Sequence, residues 1–442
     1  MRRLNLKTVF LIVLVLCFAI LISTHVYLSN NLSNDFKIAK LINNTKSISK
    51  RNTNKYSLFQ WAKGGRPWFM SNGTLRPKIG NHLYSQLALY PEESDDDRIV
   101  NQLMFIPDDY DKIKESGIVK KILVTNGFKS WQARGRDVFL KDNCPVDTCS
   151  ISTDFKDFST ADAVFFTSSS IVPRRKNITN QIWIYYLLES PLNSKNLGAI
   201  NHVINLVATY RHDSDIVTPY EKFVQYNDDN IFKTRKNYAK GKTKKVAWFV
   251  SNCRSKNERL QFALQLKRHI EVDIFGRCGP LSCPRSKAKQ CFHLINREYK
   301  FYLSFENSNC EEYITEKFFL NGLMNDVIPI VMGAKQIDYK RVAPYHSYIH
   351  ASDFSSPKHL AKFLLLLDNN DTLYNSYFEW KQTGEFINTH FWCRVCALLH
   401  SNRNNKVYAN LGQWWRRPGI CGYATNTNSS SKPITYGYLL IH

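Results

Sequence analysis

The stretch FENSNCEEYITEKFF, residues 305–319, joins an apolar, strand-like run (Tyr302, Leu303, Phe305) to a helical pattern. The strand is expected to end near Asn307 and the helix to begin near Thr315. In an α/β fold such a helix presents its free N–H groups at the C-terminal edge of the sheet, where ligands bind. Within that corner Glu316 is suited to accept hydrogen bonds from ligand hydroxyls. Lys317, its neighbour, is suited to neutralise phosphate. An acid and a base side by side at a strand-to-helix corner thus point to a ligand carrying both kinds of group.

Outward from the corner the pattern repeats. Strands are predicted over residues 246–251, 272–275, 301–305 and 327–332, with helices over 256–269 and 314–324. Upstream, apolar runs rich in β-branched and aromatic residues occupy 121–128, 161–167, 181–188 and 202–210. Buried strands alternating with helices imply parallel sheet and right-handed crossovers. A basic segment, 233–245, separates the two series, so the expected fold class is α/β with two Rossmann-like domains facing a cleft.

The N-terminus suggests where this body resides. Arg2, Arg3 and Lys7 precede an uncharged apolar run, residues 9–22, with no small-x-small cleavage site after it. The positive flank places the N-terminus in the cytoplasm and the body in the lumen. The expected organisation is a tail (1–7), a transmembrane signal anchor (8–28), a stem (29–60), a first domain (61–235), a second domain (236–390) and a Cys-rich segment (391–442). Asn-x-Ser/Thr triplets at Asn31, Asn43, Asn72, Asn177, Asn370 and Asn428 suit a lumenal body. So do the ten cysteines that remain once Cys17 is assigned to the membrane. The net charge of +23, from 60 Lys+Arg against 37 Asp+Glu, attracts polyanions in general. A lumenal body removes nucleic acid from the expected partners.

Three motifs lead elsewhere. Gly241-Lys242-Thr243 ends like a P-loop, but Lys236 stands where the first glycine is required, and a strand follows. The spacing of His390, Cys393, Cys396 and His400 would suit zinc, although an oxidising lumen favours disulfides, with or without pairing across the Cys-x-x-Cys. Asp213-Ser214-Asp215 is a D-x-D of the kind that holds a metal on a sugar-nucleotide diphosphate. Turn formation or pairing with Arg211 is the commoner use of such carboxylates.

Longer blocks carry a resemblance. FENS (305–308), YITEK (313–317), Asn321 and VIPIVMG (327–333) resemble the donor motif of the α1,3-fucosyltransferases. WFVSN (248–252) with Arg259 and VDIFG (272–276), and WIYYLLESP (183–191) with TYRHDSD (209–215), agree with it. The resemblance covers residues 119–422 and implies GT-B architecture and inverting, metal-independent transfer from GDP-β-L-fucose. It implies that Glu189 is the general base on the first, acceptor-side domain. Arg259, Tyr302, Asn307, Tyr313, Glu316 and Lys317 are implied donor-site residues, with Arg259 and Lys317 offsetting diphosphate charge in place of a metal. No cofactor is required.

TGEFINTHFWCRVC (383–396) and WWRRPGIC (414–421) are more like the branch that modifies the innermost GlcNAc of N-glycans. The resemblance also implies that Cys393 and Cys396 staple back to the first domain, with Cys144 and Cys149 as candidate partners, and that the enzyme sits in the Golgi membrane. Competing expectations are a Lewis-type enzyme acting on antennal GlcNAc and an inactive glycan-binding Golgi protein. The chain departs from the pattern at Asp326, where a small residue is expected, and at Cys310 inside the donor loop. Cys253, Cys278, Cys283, Cys291 and Cys421 have no assigned partners.

Overall fold

Two parallel sheets, one in each half of the chain, place the functional corner. The computed structural model describes residues 65–94, 97–125, 134–173, 180–226, 236–401 and 406–422. The expected transmembrane segment and stem lie outside the described residues, as do Asn31, Asn43, Asn177 and Asn428 and residues 233–235 of the basic segment. Among the described residues no helix is long and apolar enough to cross a membrane.

The first sheet contains β1 (Lys120–Val124), β2 (Cys149–Ser152), β3 (Ala163–Thr167), β4 (Ile182–Leu187), β5 (Leu206–Thr209) and β6 (Ile216–Val217). Their order is β2-β1-β3-β4-β5-β6, and every pair is parallel. β3 reads AVFFT with all five residues buried, as expected of a strand covered on both faces. A short strand, β7 (Lys222–Gln225), follows.

The second sheet contains β8 (Lys244–Phe249), β9 (Val272–Phe275), β10 (Tyr299–Phe305), β12 (Ile328–Met332) and β13 (Ile349–His350), with a two-residue β11 (Asn309–Cys310) in the corner after β10. The order is β13-β12-β10-β8-β9, again all parallel. β10 is therefore central, and all seven of its residues are buried.

The final part of the chain returns to the first half. β14 (Gly384–Ile387) pairs antiparallel with β7. There a Cβ on Gly384 would lie 2.3 Å from the Val224 carbonyl oxygen, so no larger residue fits. The helix Phe391–Leu399 then buries Phe391 and Trp392 against Phe165 of β3, with ring centroids 5.7 and 5.4 Å apart. Disulfides Cys144–Cys393 and Cys149–Cys396 fasten this helix. Both partners are among the candidates taken from the resemblance, which left open which cysteine meets which, and no bond forms across the Cys-x-x-Cys. β15 (Cys421–Gly422) pairs with β11.

The elements are shorter than the apolar patterns suggest. β5 covers only the latter half of residues 202–210, and the helix expected over 256–269 is Arg259–Lys267, preceded by Glu258 in the left-handed region (φ 54°). The helix expected over 314–324 is a three-residue α-turn, Glu316–Phe318, that widens into a π-turn, Phe319–Leu323. Strands of two to four residues, such as β2, β6 and β13, are too short to register as a period-2 run.

Candidate active site

The corner is built on Glu306, the first residue beyond β10. Its N–H continues the ladder by donating to the Met332 carbonyl at 2.8 Å, and its side chain is fully buried. The carboxylate accepts from the Thr315 N–H at 2.8 Å and from the Thr315 hydroxyl at 2.8 and 2.9 Å. Thr315 is thus both N-cap of the following turn and clamp on the strand end. Gly333 (φ 145°) leaves the room: a Cβ there would lie 2.7 Å from the Glu306 Cβ.

Lys317 completes the pocket. Its Nζ lies 3.2 Å from Glu306 Oε2 and 3.0 Å from Glu316 Oε1, and donates to Thr315 Oγ1 at 2.9 Å. Burial works against this charge, but the Glu306 and Glu316 carboxylates outweigh it and hold the pKa above the ordinary lysine value. Burial raises the Glu306 pKa, opposed by Lys317 and the Thr315 donors. Burial also disfavours ionised Glu316, and Lys317 reverses that, so its pKa is lowered. The Glu-Lys pair read from the sequence is therefore a triad whose buried member, Glu306, had no assigned role.

Arg259 opens its helix beneath the same corner. Its terminal nitrogens donate to the Phe305 carbonyl at 2.6 Å and the Asn252 carbonyl at 3.2 Å, while Nε is buried without a partner among the described residues. Burial lowers its pKa, and Glu306 opposes the shift. In this state Arg259 braces the strand end. Tyr302, buried on β10, receives a hydrogen bond from Asn321 at 3.4 Å. Asn307 accepts from Ser308 at 3.0 Å.

The corner touches the first half directly. Ser308 Oγ lies 2.9 Å from Ser190 Oγ and accepts from Asn193 at 2.9 Å. Glu189 stands two residues beyond β4, half-buried. Its Oε1 accepts from its neighbour's Ser190 N–H at 2.9 Å and from the Tyr313 hydroxyl at 2.8 Å. Oε2 has no hydrogen-bond partner among the described residues. Tyr313 was expected on the donor and in this state faces Glu189. Its pKa is raised by burial first and by Glu306 next. Tyr220 donates to the Leu188 carbonyl at 3.0 Å, fixing the backbone just before Glu189.

Further ties hold the loop. Glu312 (φ 57°) bonds the His212 ring and N–H and receives Arg341 at 2.8 Å. Burial opposes its charge, but these partners prevail and its pKa is lowered. Arg417 meets Glu311 at 3.1 Å, and Cys310 is disulfide-bonded to Cys421. Cys253–Cys278 and Cys283–Cys291 complete the set, so all ten described cysteines are bonded.

The other motifs find structural uses. Asp213 is paired with buried Arg211, which also stacks on Trp414 at 4.3 Å. Asp215 accepts from the Val207 N–H and the Tyr408 hydroxyl, each at 2.8 Å. Cys149, Cys396 and His400 lie together, as do Asp142, His390 and Cys393, but the cysteines are in disulfides. Asp326 binds Lys236 at 2.6 Å and Lys381 at 2.9 Å, which accounts for a carboxylate where a small residue was expected. Asn72 and Asn370 are exposed.

A fucosyltransferase N-terminal family model matches residues 119–221, and the model for glycosyltransferase family 10 (fucosyltransferase) C-term matches residues 239–414. The chain is 49% identical over 372 residues to glycoprotein 3-alpha-L-fucosyltransferase A of Drosophila melanogaster, covering 80% of this chain and 74% of that one. It is 33% identical to alpha-(1,3)-fucosyltransferase C of the same organism, covering 65% and 73%. A solved α1,3-fucosyltransferase with GDP-fucose is 16% identical, covering 66% of this chain and 93% of its own, with a TM-score of 0.43. With both family models matched over most of the folded body, the chain belongs to glycosyltransferase family 10, the fucosyltransferases.

Proposed function

We propose that this protein transfers L-fucose with inversion from GDP-β-L-fucose to O3 of GlcNAc in glycoprotein glycans, the innermost GlcNAc of N-glycans being the acceptor. The observation that carries the reading is the contact between Glu189, at the end of β4, and the loop that holds Lys317. In the reaction Glu189 takes the acceptor O3 proton. O3 bonds to the fucose C1, the C1–O bond to GDP breaks, and its electron pair leaves on the β-phosphate oxygen. The transition state is oxocarbenium-like by analogy with inverting glycosidases. Lys317 neutralises the departing diphosphate and Glu316 bonds donor hydroxyls, charge stabilisation that grows as the bond breaks. Arg259, Tyr302 and Asn307 shape the donor side, and no divalent metal takes part.

In this reading the two sheets form GT-B domains with the cleft between them. The core acceptor is supported by the higher identity to the relative named a glycoprotein 3-alpha-L-fucosyltransferase than to the alpha-(1,3)-fucosyltransferase C. Five disulfides and the N-terminal apolar run support a lumenal catalytic body on a single-pass type II anchor in the Golgi membrane. The test is to incubate the detergent-solubilised full chain with GDP-fucose and defined N-glycans and locate the added fucose. Fucose on O3 of the innermost GlcNAc is expected, and Glu189→Gln should abolish transfer while keeping GDP binding. Transfer to antennal GlcNAc alone replaces the acceptor, and none to any GlcNAc removes the enzyme reading.

A further inference from the structure

We infer that a cationic lobe beside the donor corner receives acidic residues of the acceptor's polypeptide, so that the enzyme favours glycoproteins whose glycosylated asparagine lies in an acidic surface. The inference rests on the reading of the innermost GlcNAc as acceptor and deepens it by naming the kind of protein that carries it. That sugar is bonded directly to an asparagine side chain. Its O3 therefore reaches Glu189 only when the polypeptide around that asparagine comes to the mouth of the site. A surface beside the mouth meets the protein part of the acceptor as well as the glycan.

The lobe lies beyond the C-terminal ends of β8 and β9, on the same edge of the second sheet as the corner. It carries Arg254, Lys256, Arg277, Arg285, Lys287 and Lys289, all exposed. Residues 274–297 contain no Asp or Glu, and the nearest acid in the preceding loop is exposed Glu258. Among the described residues none of these six cations is paired with a carboxylate. Lys120, Lys121 and Lys244, by contrast, each have one within 3.2 Å. Two disulfides set the segments side by side. Cys253–Cys278, with Cα atoms 5.4 Å apart, brings Arg254 to Arg277. The Gly276 N–H donates to the Leu281 carbonyl at 2.8 Å, and Cys283–Cys291 closes the turn that bears Arg285, Lys287 and Lys289. Like charges gathered without a counter-charge repel one another, so the fold gains nothing from them and an anion outside it does. The lobe also lies within reach of the base. Asn257, next to Lys256, donates to the Glu306 carbonyl at 2.9 Å and to Asn309 at 3.0 Å. Ser308, next to Asn309, is bonded to Ser190 beside Glu189. A short extended peptide, at about 3.3–3.6 Å per residue, spans a path of so few side chains.

The test uses the detergent-solubilised full chain and glycopeptides that share one N-glycan and are flanked by Asp and Glu, by Ser, or by Lys. At about 0.02 M salt the acidic glycopeptide should have a kcat/KM roughly 5- to 20-fold above the neutral one, the size of two or three exposed ion pairs. The preference should shrink as salt rises to about 0.3 M, where exposed charges are screened. Arg285→Ser/Lys287→Ser/Lys289→Ser should abolish it, with kcat/KM for the neutral glycopeptide and KM for GDP-fucose unchanged. Arg285→Glu/Lys287→Glu should turn the preference towards the Lys-flanked peptide. Lys112→Ser/Lys358→Ser/Lys362→Ser removes as many exposed cations elsewhere and should leave the preference in place. No preference in the wild type, or one that survives in the lobe variants or falls equally in the control, overturns the inference. So does a raised KM for GDP-fucose in the lobe variants with the preference intact, which assigns the lobe to the donor. No transfer to the innermost GlcNAc of any glycopeptide overturns the proposed acceptor, and this inference with it.

Discussion

Replacing Lys317 by alanine separates two jobs that a single loss of activity would confuse. Glu306 is fully buried and Lys317 is its cation at 3.2 Å, with only Thr315, among the described residues, left to bond its carboxylate once the lysine is gone. An uncompensated buried charge costs about 3–5 kcal/mol. Lys317→Ala should therefore lower stability by about that amount, read from urea unfolding at neutral pH. The Glu306 pKa is already raised by burial, so the folded state binds that proton more tightly than the unfolded chain. Stability from this group is greatest below the unfolded carboxylate pKa and falls as pH rises through the folded one. Without Lys317 the folded pKa rises further, so the deficit should shrink on acidification towards pH 5. The double variant Glu306→Gln/Lys317→Ala removes both charges of the pair together and should recover most of the loss. Calorimetry of GDP binding on that folded double variant then tests the phosphate role alone. One charged hydrogen bond is worth about 1.5–3 kcal/mol, so Kd should rise roughly 10- to 100-fold. Wild-type affinity in the double variant would remove Lys317 from the diphosphate. A deficit that did not change with pH would show that Glu306 is not the group left exposed to the loss.

Cys310→Ser/Cys421→Ser opens a link spanning 111 residues, so stability should fall by about 4–5 kcal/mol; the KM for GDP-fucose should rise, since the donor loop loses its tie, and an unchanged KM would confine the bond to stability. Transfer should proceed at full rate in EDTA, because Asp213 is taken by Arg211 and Asp215 by Val207 and Tyr408; a strict metal requirement would return these carboxylates to the donor site. Asn370 accepts from the Leu373 N–H through Oδ1 as an N-cap, which leaves the amide nitrogen for a glycan. Asn370→Gln should abolish one glycan shift on a gel and cost about 1 kcal/mol of stability; an unaltered gel shift with PNGase F would mean the site is unmodified.

How much of this was legible follows from distance along the chain. The corner after β10 was readable because its strand, cap and charges lie within fifteen residues, where apolar pattern and helix-start signals operate. Glu189 was readable as a strand-end carboxylate, and the resemblance gave it a task. The contacts between them were not: Tyr313 to Glu189, Ser308 to Ser190 and Glu312 to His212 each span about a hundred residues or more. No period encodes such a contact. Glu306 was missed for a different reason. A carboxylate after an apolar strand reads as a turn residue, and only the fold shows that Thr315 and Lys317 enclose it. The π-turn after Phe318 was also beyond reach, because its apolar residues match an ordinary helix of the same length.

Cys310 shows why those long-range ties belong in the account of the chemistry. In a strand-to-helix corner whose only duty was to bind a nucleotide sugar, a cysteine would be an odd insertion. The bond to Cys421 makes sense once the loop also has to reach Glu189, because a loop fixed only by β10 and the following turn would set the donor side and leave Tyr313 free to swing. Glu311 with Arg417, Glu312 with His212 and Arg341, and Ser308 with Asn193 fasten the same loop at successive residues. The exposed Glu311–Arg417 pair alone is worth little. Spaced one after another on a short segment, the ties restrict the same few backbone torsions, so their effect is to lower the entropy of one loop and not to add separate increments of stability. A transferase needs that order before the acceptor arrives, since a reacting oxygen misplaced by an ångström costs far more in rate than any one of these contacts contributes to folding.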